Sequence, residues 1–273
     1  MTATHPFDEA VRLEKIGPGL MRGRTHPAWA NMVGPFGGIT AATFLHAVEE
    51  HPERIGEPIA LTVNYAAPID DGEFDIVLRA ARSNRTNQHW VLELSQGDNE
   101  ERVVKTTATA VFALRRDTWG DQEAPAPHAP MPEDTTPGGL PRVIAWAQLY
   151  DMRFVEGPAL QRGAEPGPSS RSTLWVRDHD GRPVDYPSLS AVCDVFYPRV
   201  FLRRGAPIPA GTISLTTYFH AEPHDLAVVG ADFVLATAHA NVFSRGYFDQ
   251  SAEVWSRGGA LLATSHQVVY YKH

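Results

Sequence analysis

A single cysteine, Cys193, occurs in 273 residues. One thiol excludes an intrachain disulfide and any cysteine-based metal cluster. No apolar run reaches 18 residues, so no membrane-spanning helix is expected. The opening MTATHPFDEAVRLEK lacks an apolar core flanked by basic residues and does not read as a signal peptide. The expectation is a cytoplasmic protein with no membrane partner. Basic residues are also short: 24 Lys and Arg face 32 Asp and Glu, a net charge of −8. That balance argues against nucleic acid as a partner, because gripping phosphates needs a basic face. No G-x-S-x-G elbow, G-x-x-x-x-G-K-[ST] loop or G-x-G-x-x-G fingerprint appears. A serine nucleophile of the α/β-hydrolase kind and a nucleotide-fold enzyme are therefore disfavoured, and no cofactor is called for.

What is present is a globular composition, 43% hydrophobic and 21% charged, long enough for one large domain or two ordinary ones. Residues 115–141, RRDTWGDQEAPAPHAPMPEDTTPGGLP, hold six prolines and three glycines without a hydrophobic period. This is linker composition, extended over the surface, dividing an N-terminal unit (1–114) from a C-terminal unit (142–273). The two units look alike. PIALTVNYAAPID (58–70) parallels TISLTTYFHAEPHD (212–225), with Ile59-x-Leu61-Thr62 against Ile213-x-Leu215-Thr216. Strand-like segments follow each: 73–82, 88–96 and 102–114, then 227–239, 242–249, 252–256 and 260–271, with turns such as GDNE and SRGG between them. The last strands align loosely, 103–112 against 261–270.

One helical segment precedes each signature strand. In 37–51, Ala41, Phe44, Leu45 and Val48 form an apolar stripe; in 187–201, Leu189, Val192, Cys193 and Phe196 do the same, with Pro198 near the end. The predicted class is α+β, a double hotdog: two tandem repeats, each a central helix wrapped by a curved antiparallel sheet. Two unrelated antiparallel α+β domains sharing a few strand residues are the competing reading.

Between Asp185 and Arg199 the only charged side chain is Asp194. It lies off the 189/192/193/196 stripe, which admits an ordinary solvent-facing aspartate. Its neighbours on that face, however, are Ala191, Val195 and Pro198, as if the helix were sandwiched between its own sheet and something else. A desolvated carboxylate there would have a raised pKa and need hydrogen-bond partners. The first helix has no acid before Glu49 but opens with GPFGG (34–38). Glycines at a helix start let a ligand approach free N–H groups, although a plain loop-to-helix turn explains them equally. One unit thus offers donors and the other an acid, which suits hydrolysis of an acyl group where the units meet.

Over nearly its whole length the chain resembles the acyl-CoA thioesterase II family of double-hotdog proteins. The resemblance is carried by GLMRGRT (19–25), PFGGITAATFLHAV (35–48), the Pro-rich bridge, AVCDVFYP (191–198), TISLTTYFH (212–220), SRGYF (244–248) and LLATSHQ (261–267). It implies a water-holding set of helix aspartate, strand threonine and C-terminal glutamine, which fall on Asp194, Thr212 and Gln267. Thr216 and Thr217 are the alternatives on the same strand. Gly37 and Gly38 match the helix start that would stabilise an oxyanion. The implied partner is a small-molecule acyl-CoA, hydrolysed without metal or cofactor, and the implied oligomeric state ranges from monomer to homo-oligomer.

Other signals weigh less. HAEPH (220–224) reads as a strand end, since Pro223 spoils a helical metal pair. His46 and His51 read as the exposed end of a helix, DHDG (178–181) as a tight turn, and Cys193 as a buried structural residue. Arg82, Arg85 and Arg245 suit a phosphate, but nothing singles one out. A non-catalytic acyl or acyl-CoA binding protein on the same fold is the alternative function. A hotdog hydratase would want an Asp–His pair in a D-x-N-P-x-H setting, which is missing.

Overall fold

The structure, a computed structural model, describes residues 4–97, 101–138, 141, 143–157 and 165–272. The expected GDNE turn from residue 98 onward and residues 139–140 of the expected linker lie outside them. The chain runs α1 (Pro6–Ala10), β1 (Glu14–Gly17), β2 (Leu20–Arg24), α2 (Gly37–Glu49), β3 (Glu57–Tyr65), β4 (Glu73–Ser83), β5 (Asn87–Gln96) and β6 (Val103–Ala113). The second half runs β7 (Tyr150–Glu156), β8 (Ser172–Asp178), α3 (Tyr186–Val192), α4 (Arg199–Arg204), β9 (Ala210–Phe219), α5 (Pro223–Val229), β10 (Val234–His239), β11 (Phe243–Ser244), β12 (Tyr247–Ser256) and β13 (Leu261–Tyr271).

All the strands join one antiparallel sheet, ordered β1-β2-β4-β5-β6-β3-β9-β13-β12-β10-β8-β7, with β11 paired to β12. The order reads the same from both ends once each strand is matched to its counterpart in the other half. The fold is a double hotdog, α+β, with two strands before each central helix and four main strands after it. Its seam is the β3–β9 pair, where Thr62 stands opposite Thr216, Leu61 opposite Thr217 and Val63 opposite Leu215. Equivalent threonines therefore face each other across a local two-fold, and their hydroxyls hydrogen-bond at 3.0 Å. The repeat read from Ile59-x-Leu61-Thr62 and Ile213-x-Leu215-Thr216 is thus a physical one.

The repeat extends to an irregularity. Against β6 the pairing of β3 passes over Ile59, and against β13 the pairing of β9 passes over Ile213. Each is a β-bulge, which inserts one residue and changes the face that later side chains use. The same register puts Gln267 opposite Leu215 and Ala110 opposite Leu61. The expected alignment of 103–112 with 261–270 is therefore one residue out.

The helix α2 is buried on nearly every side, from Gly38 to Val48. A helix apolar all round needs cover all round; here its own sheet supplies one side and α3 another. The second surface suspected beside Asp194 is therefore the other repeat's helix.

Three sequence expectations change. The single helix expected over 187–201 is two helices, α3 and α4, separated by a turn; Pro198 is the N-cap of α4 rather than the end of the first helix. α3 ends at Val192, and because proline disfavours helical backbone in the residue before it, Tyr197 cannot carry a helix on into Arg199. The strand expected over 227–239 begins as α5, with Pro223 in its first turn, and only 234–239 is strand. The strands expected at 242–249 and 252–256 are instead the short β11 and a continuous β12.

The Pro-rich segment lies along the C-terminal half of the sheet. Trp175 and Trp255 donate their indole N–H groups to the carbonyls of Pro130 (2.8 Å) and Ala124 (3.4 Å). Gln122 bonds both Gly259 O and Leu261 N, and Ala126 and Ala129 cover Trp175, Phe233 and Leu235. A segment rich in proline loses little entropy when it is held extended in this way. Replacing Trp175 by alanine removes both the cover and its anchor. The expected cost is about 3–5 kcal/mol in urea unfolding, with cleavage by a nonspecific protease appearing first within residues 119–131.

Candidate active site

At the start of α2 the N-cap is Phe36, which gives no side-chain cap. Its ring stacks on Trp146 at 4.0 Å between centroids and lies near Trp29. By position, the N–H groups of Gly37, Gly38 and Ile39 have no carbonyl within the helix to serve. The end of α3 runs against this start. A methyl group on Gly38 would sit 2.8 Å from Ala191 O and 2.5 Å from the Phe36 ring, so only glycine permits the approach.

Asp194 follows α3 in a turn, with its N–H donating to Ala191 O at 3.0 Å. Its Oδ1 accepts a hydrogen bond of 2.8 Å from Gln267 Nε2. Gln267 Oε1 in turn accepts from Thr212 Oγ1 at 3.3 Å. One end of the amide donates to the carboxylate while the other accepts from the hydroxyl, which fixes the amide's orientation. The structure thus brings the three predicted side chains into one chain of hydrogen bonds from three separate elements. Thr212 reaches it because of the bulge at Ile213: Val269 and Gln267 share a face, and Thr212 pairs with Val269 although it stands three residues from Leu215. The alternatives point elsewhere. Thr216 bonds Thr62 at the seam, and Thr217 is fully buried against the Cys193 thiol.

The other carboxylate oxygen, Oδ2, faces Gly37. A methyl group there would lie 2.8 Å from Asp194 Oδ2 and 3.3 Å from Tyr65 Oη. Gly37 thus lets a carboxylate oxygen and a phenol pack against the helix start more closely than a side chain would allow. Burial raises the Asp194 pKa from 3.8 to about 7, against the opposing pull of Gln267 and the Gly38 backbone N–H. Gly38 therefore lies beside the acid as well as at the helix start. Such a carboxylate is half ionised near neutrality, which suits a general base. Neighbouring Cys193 is wholly buried and its thiol is pushed up to about 12 by desolvation, which leaves it unreactive.

Two residues at the site escape a reading of the sequence. Tyr65, at the end of β3, donates its hydroxyl to Gly37 O at 2.8 Å. Arg199 is fully buried and bonds Tyr197 O, Ser170 O (3.1 Å) and Ser172 Oγ (2.7 Å), tying the turn that carries Asp194 to β8. A lone arginine inside VFYPRVF was the available signal for the second; Tyr65 gave none, since nothing local links it to Gly37.

Two central helices that lie side by side and antiparallel, with Asp194 where the start of one meets the end of the other, define the class: a double-hotdog protein. The acyl-CoA thioesterase N-terminal domain matches residues 25–113 and the acyl-CoA thioesterase C-terminal domain matches residues 122–271. The chain belongs to the acyl-CoA thioesterase family. It is 43% identical to a conserved protein of unknown function with a hot dog fold from Alicyclobacillus acidocaldarius, with 99% of each chain covered and a TM-score of 0.92. It also shares its fold with the acyl-CoA thioesterase II TesB2 of Mycobacterium marinum (18% identity, 98% of each chain, TM-score 0.78). The tesB protein of Mycobacterium avium subs paratuberculosis is similar in the same way (19%, 98% of each, 0.79). No curated protein matches the chain. Among the described residues, no helix is long and apolar enough to cross a membrane.

A carboxyl whose pKa is higher in the folded than in the unfolded chain binds its proton more tightly when folded. Its contribution to stability is present below about pH 4 and is lost as pH rises through about 7. Asp194→Asn removes that ionisation. The variant is expected to be more stable than the parent at pH 8, with the difference in urea midpoint shrinking towards pH 4.

Proposed function

We propose that the chain is an acyl-CoA thioesterase that hydrolyses its substrate by direct attack of water. The observation that carries this reading is the carboxylate of Asp194, held by Gln267 through Oδ1 and packed through Oδ2 against the uncapped start of α2 at Gly37. A water there gives its proton to Asp194 as its oxygen attacks the thioester carbon. Gln267 and Thr212 hold the carboxylate and the water in register, since amide and hydroxyl can each donate and accept. The carbonyl oxygen takes up negative charge beside the backbone N–H groups at Gly37 and Gly38, where the helix dipole adds to their effect. The tetrahedral intermediate collapses by breaking the C–S bond. The departing coenzyme A thiolate takes the proton from Asp194, leaving the free acid. The thiol of Cys193 has no part, so no acyl-enzyme forms.

The test is a panel of acyl-CoA esters assayed by release of free thiol. Asp194→Asn is expected to lower kcat by about 10²–10⁴, the range for losing a general base. The parent's kcat/KM should fall on the acid side with a midpoint near pH 7. A full rate in Asp194→Asn would remove the site assignment. Binding of acyl-CoA without thiol release from any chain length would make the protein a binding module. Gly37→Ala would put a methyl group 2.8 Å from Asp194 Oδ2 and 3.3 Å from Tyr65 Oη, so these side chains must shift. It is expected to lower kcat by about 10²–10³, the size of losing an oxyanion donor, and to lower the melting temperature as well.

A further inference from the structure

Tyr65 and Asp194 both pack against Gly37. A methyl group on Gly37 would lie 2.8 Å from Asp194 Oδ2 and 3.3 Å from Tyr65 Oη, so the two oxygens are separated by no more than those two lengths together. A carbonyl group brought to Asp194 beside Gly37 would therefore have both the carboxylate and the phenol close by. The hydroxyl now donates to Gly37 O at 2.8 Å. That carbonyl stands in the first turn of α2, where the helical ladder offers it an N–H four residues on. The Tyr65 bond is therefore a second one, and giving it up strands no buried acceptor. Burial, followed by the nearby Asp194 charge, raises the Tyr65 pKa well above its usual value, which keeps its proton in place as a donor. On the strand, Tyr65 ends β3, whose seam with β9 sets it relative to the second repeat.

We propose that Tyr65 is a catalytic residue: its hydroxyl turns from Gly37 O to the thioester carbonyl oxygen and donates to it as negative charge develops. It shares this task with the N–H groups of the first turn of α2. The inference rests on the thioesterase reading and adds a side-chain donor to the backbone ones. A phenol is a good donor for this purpose because it needs no counter-charge and does not compete with Asp194 for the water's proton.

Tyr65→Phe removes the oxygen and keeps the ring. Against the best acyl-CoA of the panel, kcat is expected to fall by about 10²-fold with KM changed less than about threefold, the signature of an interaction made in the transition state. Two non-hydrolysable analogues separate catalysis from packing: a ketone with methylene in place of sulfur, and a thioether lacking the carbonyl. Tyr65→Phe should bind the ketone more weakly than the parent does and bind the thioether equally well. An unchanged kcat would overturn the proposal while leaving the thioesterase reading intact. Equal weakening for both analogues would also overturn it, since that marks Tyr65 as a packing residue. A parent protein inert on every thioester would overturn both readings together.

Discussion

β3 and β9 lie side by side about a local two-fold, with Thr62 opposite Thr216 and Leu61 and Leu215 buried beneath them. Everything at the site follows from that pairing. It turns two sheets into one and sets the central helices side by side in opposite directions. The start of α2 then meets the end of α3, and the end of α2 meets the start of α3. Asp194 beside Gly37 and Gly38 marks the first junction. Asp185, whose charge is felt by both His46 and Glu49, marks the second. Both repeats build this junction, because Asp194 follows α3 while Gly37 and Gly38 open α2.

The two junctions are equivalent in topology and opposite in chemistry. At the second, α3 begins with a capping box: Asp185 accepts from Ser188 N at 2.9 Å, and Ser188 Oγ receives the Asp185 N–H. The donors that would face an oxyanion are already filled by the chain's own carboxylate, which Arg182 also holds. At the first, Phe36 stands in the capping position and offers no oxygen. Its ring stacks against Trp146 and lies close over Gly38. A helix start left uncapped forgoes on the order of 1 kcal/mol of stability. The carboxylate beside that start is Asp194 of the other repeat, which the Gly38 N–H approaches.

Much of this was legible. The stripe of Ala41, Phe44, Leu45 and Val48 gave α2 to within two residues, because its period is unbroken and a glycine pair marks its start. The repeated Ile-x-Leu-Thr marked the duplication; that these strands form the seam and carry a bulge in both copies came only from the structure. The α3 to α4 break was hidden because Phe196 is buried as the helical stripe requires, yet by a turn. Tyr197 before Pro198 was the local sign against a continuous helix. The start of α5 was missed for a similar reason: Pro223 was read as stopping a strand, when proline is favoured in a first helical turn. Gln267 meets Thr212 only through the β13–β9 pairing and its bulge, and Thr216 meets Thr62 only through the β3–β9 pairing. Contacts of that kind depend on register between distant strands, which periodicity cannot supply.

The buried charges show how the site is held without being neutralised. Arg199 is fully buried, and its guanidinium bonds backbone carbonyls and Ser172 Oγ. Its own pKa falls to about 10 from desolvation. It fixes the turn of Tyr197 and is absent from the influences on the Asp194 pKa, which are burial, Gln267 and the Gly38 N–H. A cation paired directly with Asp194 would have pulled its pKa down and made it a poor proton acceptor at neutral pH. An unpaired carboxylate left wholly free would have turned towards water. Gln267 resolves the conflict: a neutral amide holds Oδ1 in place while Oδ2 lies against Gly37. The bulge that brings Thr212 to the far end of that amide then makes the amide's own orientation definite. Asp194 is thus positioned by neutral hydrogen bonds and not by a paired cation.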